Sequence, residues 1–122
     1  MRVFKNKWFI RFARKEKIDD QKLIGAVHEI EAGNVDADYG GGVIKKRIGR
    51  PNQGKSGGYR TIIIFRKGDK AFFVFGYAKS VTDNIDNKDV REFKDLAKIF
   101  LALTEEELLI LLEESELEEL TR

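Results

Sequence analysis

The sequence predicts a single α+β domain in which helices at both ends of the chain pack on a small antiparallel sheet. Apolar residues recur at helical spacing near the N-terminus and again beyond residue 88, whereas the middle of the chain is rich in β-branched and aromatic residues. A length of 122 residues suits one domain with its own hydrophobic core. The predicted elements are a short strand or lead-in at 2–4, helices over 6–16, 19–33 and 88–102, a loop at 34–42, and strands at 43–49, 59–67 and 70–78.

The two N-terminal helices are predicted from their apolar faces and their end signals. In the first helix, Trp8, Phe9 and Phe12 share one face, and we expect these rings to form core contacts rather than to stack on nucleic-acid bases. The second helix has a capping residue at its start, Asp19 or Asp20, and a glycine just past its last turn.

The three strands are predicted from alternating side chains and from the turn residues between them. In the first strand, Lys46 falls on the same side as two isoleucines, whereas Lys45 and Arg47 share the other side. Residues 50–58 are expected to form a long polar turn, and Gly68-Asp69 a tight hairpin. The last two strands are almost continuously apolar, which indicates central strands covered by helices.

The C-terminal segment differs in charge from the rest of the chain. Residues 104–122 contain eight Glu and one Arg, whereas 1–103 carry 22 Lys and Arg against 13 Asp and Glu. Thr104 and Glu107 form a capping-box pattern, so 104–122 is interpreted as an acidic C-terminal helix that follows a basic domain over 1–103. We favour a helix that is part of the same domain or a partner-binding extension. The alternative is a helix beside the basic surface that weakens RNA binding by repulsion.

Composition excludes several kinds of site. The chain has no Cys, which rules out disulfides and thiolate metal sites, and its single histidine, His28, cannot form a histidine-rich metal site. No apolar stretch approaches the roughly 20 residues of a membrane span, and the first residues lack the apolar core of a signal peptide. We therefore expect a cytoplasmic protein without a membrane partner.

A set of basic residues is expected to meet on the sheet. Lys45 and Arg47 share one strand face, Arg60 opens the next strand, and Lys79 closes the third strand beside Tyr77. Cations on a sheet can hold an RNA backbone and its scissile phosphate. Contacts to RNA are further expected from Lys46, Arg50, Lys55, Tyr59 and Tyr77 and from the backbone N–H groups of Gly57 and Gly58.

RNA cleavage without a metal ion needs little more than such a set. A base removes the proton of the 2′-hydroxyl, cations stabilise the charge on the phosphate oxygens, and an acid protonates the leaving 5′-oxygen. Lysine can transfer a proton, whereas arginine is suited to charge stabilisation. The same residues taken singly are typical of solvated charges on a strand or of edge protection, so spacing alone leaves both interpretations open.

Residues 40–85, GGGVIKKRIGRPNQGKSGGYRTIIIFRKGDKAFFVFGYAKSVTDNI, resemble the RelE/HigB toxins of bacterial type II toxin–antitoxin systems, and among them the phage-Gp49-like, HigB-type relatives. The shared pattern is a Gly-rich lead, a basic strand, a loop of the form G-K-x-G-G-x-R, a hydrophobic hairpin and an aromatic-x-K end. The resemblance implies a RelE/ParE-like α+β fold with a small twisted antiparallel sheet. It also implies an mRNA endoribonuclease that acts without a metal or another cofactor, usually in the ribosomal A site.

The resemblance also implies catalytic residues and partners. Lys45 and Arg47 match basic strand residues of the family, Arg60 matches the arginine that closes the Gly-rich loop, and Lys79 matches the basic residue after the last strand. The implied partners are mRNA on the ribosome and a helix-turn-helix antitoxin of the HigA type. A homo-oligomer, or a heterotetramer with the antitoxin, is the implied assembly.

Departures from the family pattern leave the proton-transfer groups open. Some relatives carry a second basic residue after the last strand, where this chain has Ser80, and some carry a late Tyr or His, which 81–89 lacks. The general base and acid are therefore unassigned. Two alternatives remain, a toxin-fold module that binds RNA or protein without catalysis and a ParE-like inhibitor of gyrase.

Overall fold

The computed structural model describes residues 1–50, 54–78 and 87–120, and it describes the backbone alone at 50 and 54–57. Helices and strands both contribute, which confirms the α+β class. In chain order the elements are β1 (Arg2–Asn6), α1 (Lys7–Glu16), α2 (Asp20–Glu31), β2 (Ala37–Gly40), β3 (Val43–Arg50), β4 (Gly54–Arg66), β5 (Lys70–Ala78), α3 (Asn87–Leu101), α4 (Glu105–Glu113) and β6 (Leu117–Glu119).

The strands of the described ranges form one sheet in the order β2-β3-β4-β5-β1-β6. Strands β2 to β5 pair antiparallel with their neighbours in sequence, and β6 pairs antiparallel with β1. The sheet is nevertheless mixed rather than antiparallel throughout, because β1 lies parallel to β5. Two helices and three strands separate β1 from β5 in the chain, which provides the long connection that a parallel pair requires.

The central strands are buried on both sides, and each side of the sheet has its own core. The core of the α1–α2 face includes Ile44, Ile48, Ile63 and Phe73 from the strands. The core of the α3–α4 face includes Val43, Ile62, Ile64 and Phe72. Successive strand residues point to opposite faces, so burial on both faces explains why β4 and β5 are almost continuously apolar.

Local signals determine several element ends as predicted. Asp19, rather than Asp20, caps α2, and Thr104 and Glu107 form the complete capping box of α4. The hairpin between β4 and β5 turns at Gly68, whose φ of +75° favours glycine.

Three predicted segments differ from the structure because strand pairing, rather than their own composition, determines them. Part of the expected loop at 34–42 is β2, which pairs with β3. Part of the expected turn at 50–58 is strand, because β4 begins at Gly54 and pairs there with Arg50. The acidic segment is helical only to Glu113, after which the chain forms β6 and pairs with β1.

Strand β6 links the acidic C-terminal segment to the basic N-terminus. The Arg2 guanidinium donates two hydrogen bonds of 2.9 Å to Glu119, and Lys5 pairs with Glu118 at 2.9 Å. The hydrogen bond from Arg2, together with its charge, outweighs partial burial and lowers the pKa of Glu119. The segment therefore belongs to the sheet, at the edge opposite β2.

Lys46 is a buried cation on the α1–α2 face, only 2% exposed. Its Nζ lies 2.7 Å from Oε1 of Glu29 in α2 and donates a hydrogen bond of 3.0 Å to the carbonyl oxygen of Asn34. A buried ammonium group is tolerated when a carboxylate and further acceptors surround it. Lys46 therefore holds α2 against β3.

We expect the two partners of this ion pair to respond differently to substitution. Glu29→Ala leaves the buried ammonium of Lys46 without its carboxylate and should reduce the free energy of unfolding by about 2 kcal/mol. Lys46→Met keeps the side-chain length and removes the charge, while the partly exposed Glu29 carboxylate can be hydrated. The decrease in the free energy of unfolding for Lys46→Met should therefore stay below about 1 kcal/mol. Urea unfolding measures both, and a larger loss for Lys46→Met would contradict the expectation.

Candidate functional site

Strand register brings Lys45, Arg47 and Arg60 to the α3–α4 face of the sheet. Arg47 in β3 lies directly opposite Arg60 in β4, and Lys45 lies opposite Ile62. Residues two apart in a strand share a face. The three cations therefore lie on the same face as Ile62, whose side chain belongs to the core beneath α3 and α4.

These three side chains line one depression, together with Asp36. Its volume is about 190 Å³, which is sufficient for a phosphate group. Arg47 is exposed, Lys45 is half-buried and Arg60 is only 8% exposed. Three cationic side chains around one depression are suited to an anion, because each can donate charge-assisted hydrogen bonds.

Asp36 holds the Arg47 side chain in place. Its carboxylate accepts hydrogen bonds from Nε of Arg47 at 2.8 Å and from the backbone N–H of Arg47 at 2.6 Å. Burial raises the pKa of Asp36, but these hydrogen bonds and the charges of Arg47 and Lys46 outweigh burial, so the pKa lies below its ordinary value. A guanidinium has five N–H donors. The donors that Asp36 does not engage can still bind phosphate oxygens.

Tyr77 lies beside Arg60 on the same face, because these residues are paired between β4 and β5. Its side chain is buried, and its ring lies 6.1 Å from the ring of Phe75. Tyr77 is therefore placed to support Arg60, and little of it is open to a ligand.

Lys46 and Tyr59, which were expected to contact RNA, lie on the opposite face of the sheet. Each is next in sequence to a residue of the depression and therefore points the other way. The Tyr59 hydroxyl donates a hydrogen bond of 2.8 Å to Glu16, and its ring meets Phe12 edge-on. Both residues hold N-terminal helices on the sheet, and the structure does not bring them to the depression.

The remaining residues of the expected site are placed only in part. Lys79 lies outside the described residues. The backbone alone is described for Arg50, Lys55 and Gly57, which belong to β3 and β4 where the pairing register shifts. Gly58 lies in the same irregular part of β4 and is buried.

Asp36 is the residue of the depression that sequence reasoning missed. It lies in a stretch that was expected to be a loop, eleven residues before Arg47. Pairing beside β3 brings it there, with its backbone N–H donating to the carbonyl oxygen of Lys45 at 2.9 Å. The available signal was an aspartate ahead of a basic strand, which is too common to identify a site.

The described ranges also bear on metal and membrane sites. Within them, no three His, Cys, Asp or Glu side chains are grouped closely enough to hold a metal ion. Among the helices that the structure describes, none has the length and apolar character needed to cross a membrane.

Comparison with known proteins identifies the family. The family model described as the RelE toxin of the RelE / RelB toxin-antitoxin system matches residues 1–120. A search of curated proteins finds no significant match. The family match extends from β1 to β6 and therefore includes the strands that carry Lys45, Arg47 and Arg60. The chain belongs to the RelE toxin family and is a toxin of a toxin–antitoxin system.

Proposed function

We propose that this toxin is an mRNA endoribonuclease that cleaves ribosome-bound mRNA without a metal ion. The observation that carries the proposal is the convergence of Lys45, Arg47 and Arg60 on one depression. Arg47 and Arg60 lie directly opposite each other in the sheet, so an anion bound between them would interact with both charges and offset the repulsion of like charges. Membership in the RelE toxin family supports mRNA as the source of that anion.

The RNA supplies the nucleophile in the proposed reaction. A 2′-hydroxyl loses its proton, and its oxygen attacks the neighbouring phosphorus. The bond to the 5′-oxygen breaks, and the leaving oxygen takes up a proton, which gives a 2′,3′-cyclic phosphate and a 5′-hydroxyl. Negative charge collects on the phosphate oxygens, and donors already positioned there lower the barrier.

Arg47 and Arg60 are assigned to the phosphate, and Lys45 to proton transfer. A guanidinium stays protonated and can donate two parallel hydrogen bonds to phosphate oxygens. Arg60 is buried, so its interaction with an anion is screened less by water. Among the described residues that line the depression, Lys45 is suited to proton transfer because an ammonium group can release and regain a proton.

The antitoxin partner is proposed to be a helix-turn-helix protein of the HigA type, which acts with the toxin in the cytoplasm. The resemblance of residues 40–85 to HigB-type toxins supports this choice. A neighbouring reading frame that encodes a helix-turn-helix protein, and co-purification of its product with this chain, would test it.

Arg60→Gln should reduce mRNA cleavage about 100-fold or more, because it removes a donor and a charge from the transition state. Primer extension on mRNA from an in vitro translation reaction measures the cleavage. The matched control is Arg66→Gln, the same change on the same strand at an exposed arginine that pairs with Asp69, and it should cleave like wild type. Because Arg60 is buried, its substitution also affects packing. Thermal unfolding of Arg60→Gln and of Arg60→Lys separates a loss of stability from a loss of catalysis.

The alternatives give different results in the same experiment. Equal cleavage by wild type and Arg60→Gln would remove Arg60 from the mechanism. If the wild-type protein binds RNA but leaves mRNA intact and causes no growth arrest, the protein is a binding module without catalysis. An SOS response with intact mRNA would indicate a gyrase inhibitor.

Asp36→Asn should weaken cleavage about tenfold, because Arg47 loses the carboxylate that positions it. The folded-state pKa of Asp36 is lowered, so its contribution to stability is complete above the unfolded pKa of about 3.9 and is lost as pH falls through the folded pKa. Urea unfolding should therefore show a difference between wild type and Asp36→Asn that shrinks from pH 7 towards pH 3.

The control for this variant is Asp38→Asn, which removes the same charge from an exposed residue two positions away. It should cleave mRNA like wild type. A stability difference for Asp36→Asn that stays constant with pH would show that the charge of the carboxylate is not its source.

A further inference from the structure

Trp8 is exposed, contrary to the expectation that it lies in the core. Its relative exposure is 41%, whereas the neighbouring Phe9 is fully buried. Trp8 is also the single tryptophan of the chain. A flat, rigid ring at a protein surface offers contact area to a ligand at little cost in conformational entropy.

The indole ring of Trp8 is held in one position by two other rings. It stacks on Phe12 at 5.2 Å between ring centres and contacts Phe75 at 4.5 Å. Phe12 in turn packs closely on β5, since a Cβ atom at Gly76 would lie 2.6 Å from its Cε2. The exposed part of the indole is therefore preorganised for contact with another flat group.

On one side of Trp8 the surface is cationic. A depression of about 240 Å³ is lined by Trp8, Arg11, Phe12 and Lys15, which follow one another along one side of α1 and are called the Trp8 stripe here. Arg11 and Lys15 are exposed, and the acidic residue of α1, Glu16, accepts a hydrogen bond from the Tyr59 hydroxyl. An aromatic ring between cations is the arrangement that binds single-stranded nucleic acid, because bases stack on the ring and the cations contact phosphates.

The Trp8 stripe is connected to the depression of Lys45, Arg47 and Arg60 by a row of side chains. Arg47, Arg60 and Tyr77 are paired across three neighbouring strands, which are about 4.8 Å apart. The ring of Tyr77 lies 6.1 Å from that of Phe75, and Phe75 contacts Trp8. The depression and Trp8 therefore lie at the two ends of one continuous row of side chains.

We propose that Trp8 stacks on a base of the bound RNA strand, a few nucleotides from the phosphate in the depression, and that Arg11 and Lys15 bind the phosphates that flank this base. The identity of the strand as mRNA rests on the proposed function. Stacking on a fixed ring determines how far the strand advances across the sheet, and this position selects which phosphate lies beside Arg47 and Arg60.

RNA explains the Trp8 stripe better than a protein partner does. Base stacking uses the ring, and the phosphates use Arg11 and Lys15, so one ligand accounts for both kinds of side chain. The exposed aliphatic side chains that would suit an apolar protein surface lie instead on α3 and α4. Within residues 1–50, 54–78 and 87–120, the large ones are Ile99, Leu109 and Ile110.

Trp8 fluorescence provides a direct test, because the chain has no other tryptophan. The full-length protein is titrated with an RNA hexanucleotide whose 2′-oxygens are methylated, which prevents cleavage through the 2′-hydroxyl. Stacking of a base on the indole should quench the emission. Anisotropy of the labelled oligonucleotide should show binding weakened about tenfold in Trp8→Ala, with partial recovery in Trp8→Phe because a ring is restored.

The cations are tested by the salt dependence of the same binding. Arg11→Gln and Lys15→Gln should each reduce the slope of log affinity against log salt by about one. Arg14→Gln removes the same charge from an exposed residue of the same helix outside the Trp8 stripe, and its slope should stay near that of wild type. Thermal unfolding of each variant identifies any loss of RNA affinity that comes from misfolding.

Several outcomes would overturn the inference. These are unchanged Trp8 emission at saturating oligonucleotide, equal affinity of wild type and Trp8→Ala, and quenching by the antitoxin but not by RNA. Failure of the proposed function is distinguishable, since mRNA would then remain intact while the methylated oligonucleotide still quenched Trp8. Normal mRNA cleavage without quenching would overturn the stacking inference alone.

Discussion

The pairing register between β3 and β4 determines which cations this protein can present to a ligand. It places Arg47 opposite Arg60 and sends Lys46 to the other side of the sheet. A shift by one residue would exchange the two faces, which would bring the isoleucines at 62 and 63 into the wrong cores. Burial of those side chains therefore fixes the register, and the binding surface depends on the packing of both cores.

The N-terminal strand determines where Trp8 lies relative to the sheet. Because β1 is parallel to β5 and ends at Asn6, the chain enters α1 beside the last part of β5, and Trp8 meets Phe75 there. The acidic C-terminal segment pairs with Arg2 and Lys5 on β1. Those two cations are paired within the protein, and the cations that line the depression and the Trp8 stripe come instead from β3, β4 and α1.

Local signals in the sequence were sufficient for the elements that local interactions form. The cap at Asp19, the capping box at Thr104 and the hairpin at Gly68 each depend on a few neighbouring residues, and each was predicted. Strands β2 and β6 were missed because their own sequences are polar or acidic. The partner of β6, β1, is also distant in the chain, whereas β2 pairs with β3 across a short turn.

The candidate site, too, was predicted only where neighbouring residues in the sequence determine it. Alternation correctly separated Lys46 from Lys45 and Arg47, but it could not show that the side of Lys46 is covered by α2. Helical spacing placed Trp8 with Phe9 and Phe12, but the exposure of Trp8 depends on where α1 crosses the sheet edge. Asp36 reaches Arg47 only through pairing beside β3.

The opposed arginines connect stability with binding. Arg47 and Arg60 lie directly across from each other, a like-charge arrangement that weakens a strand pair. Asp36 offsets part of this repulsion at Arg47 through two hydrogen bonds. An anion bound between the arginines would interact with both charges at once, and a ligand that binds only the folded state stabilises that state. Anion binding in the depression should therefore stabilise the β3–β4 strand pair as well as hold the ligand.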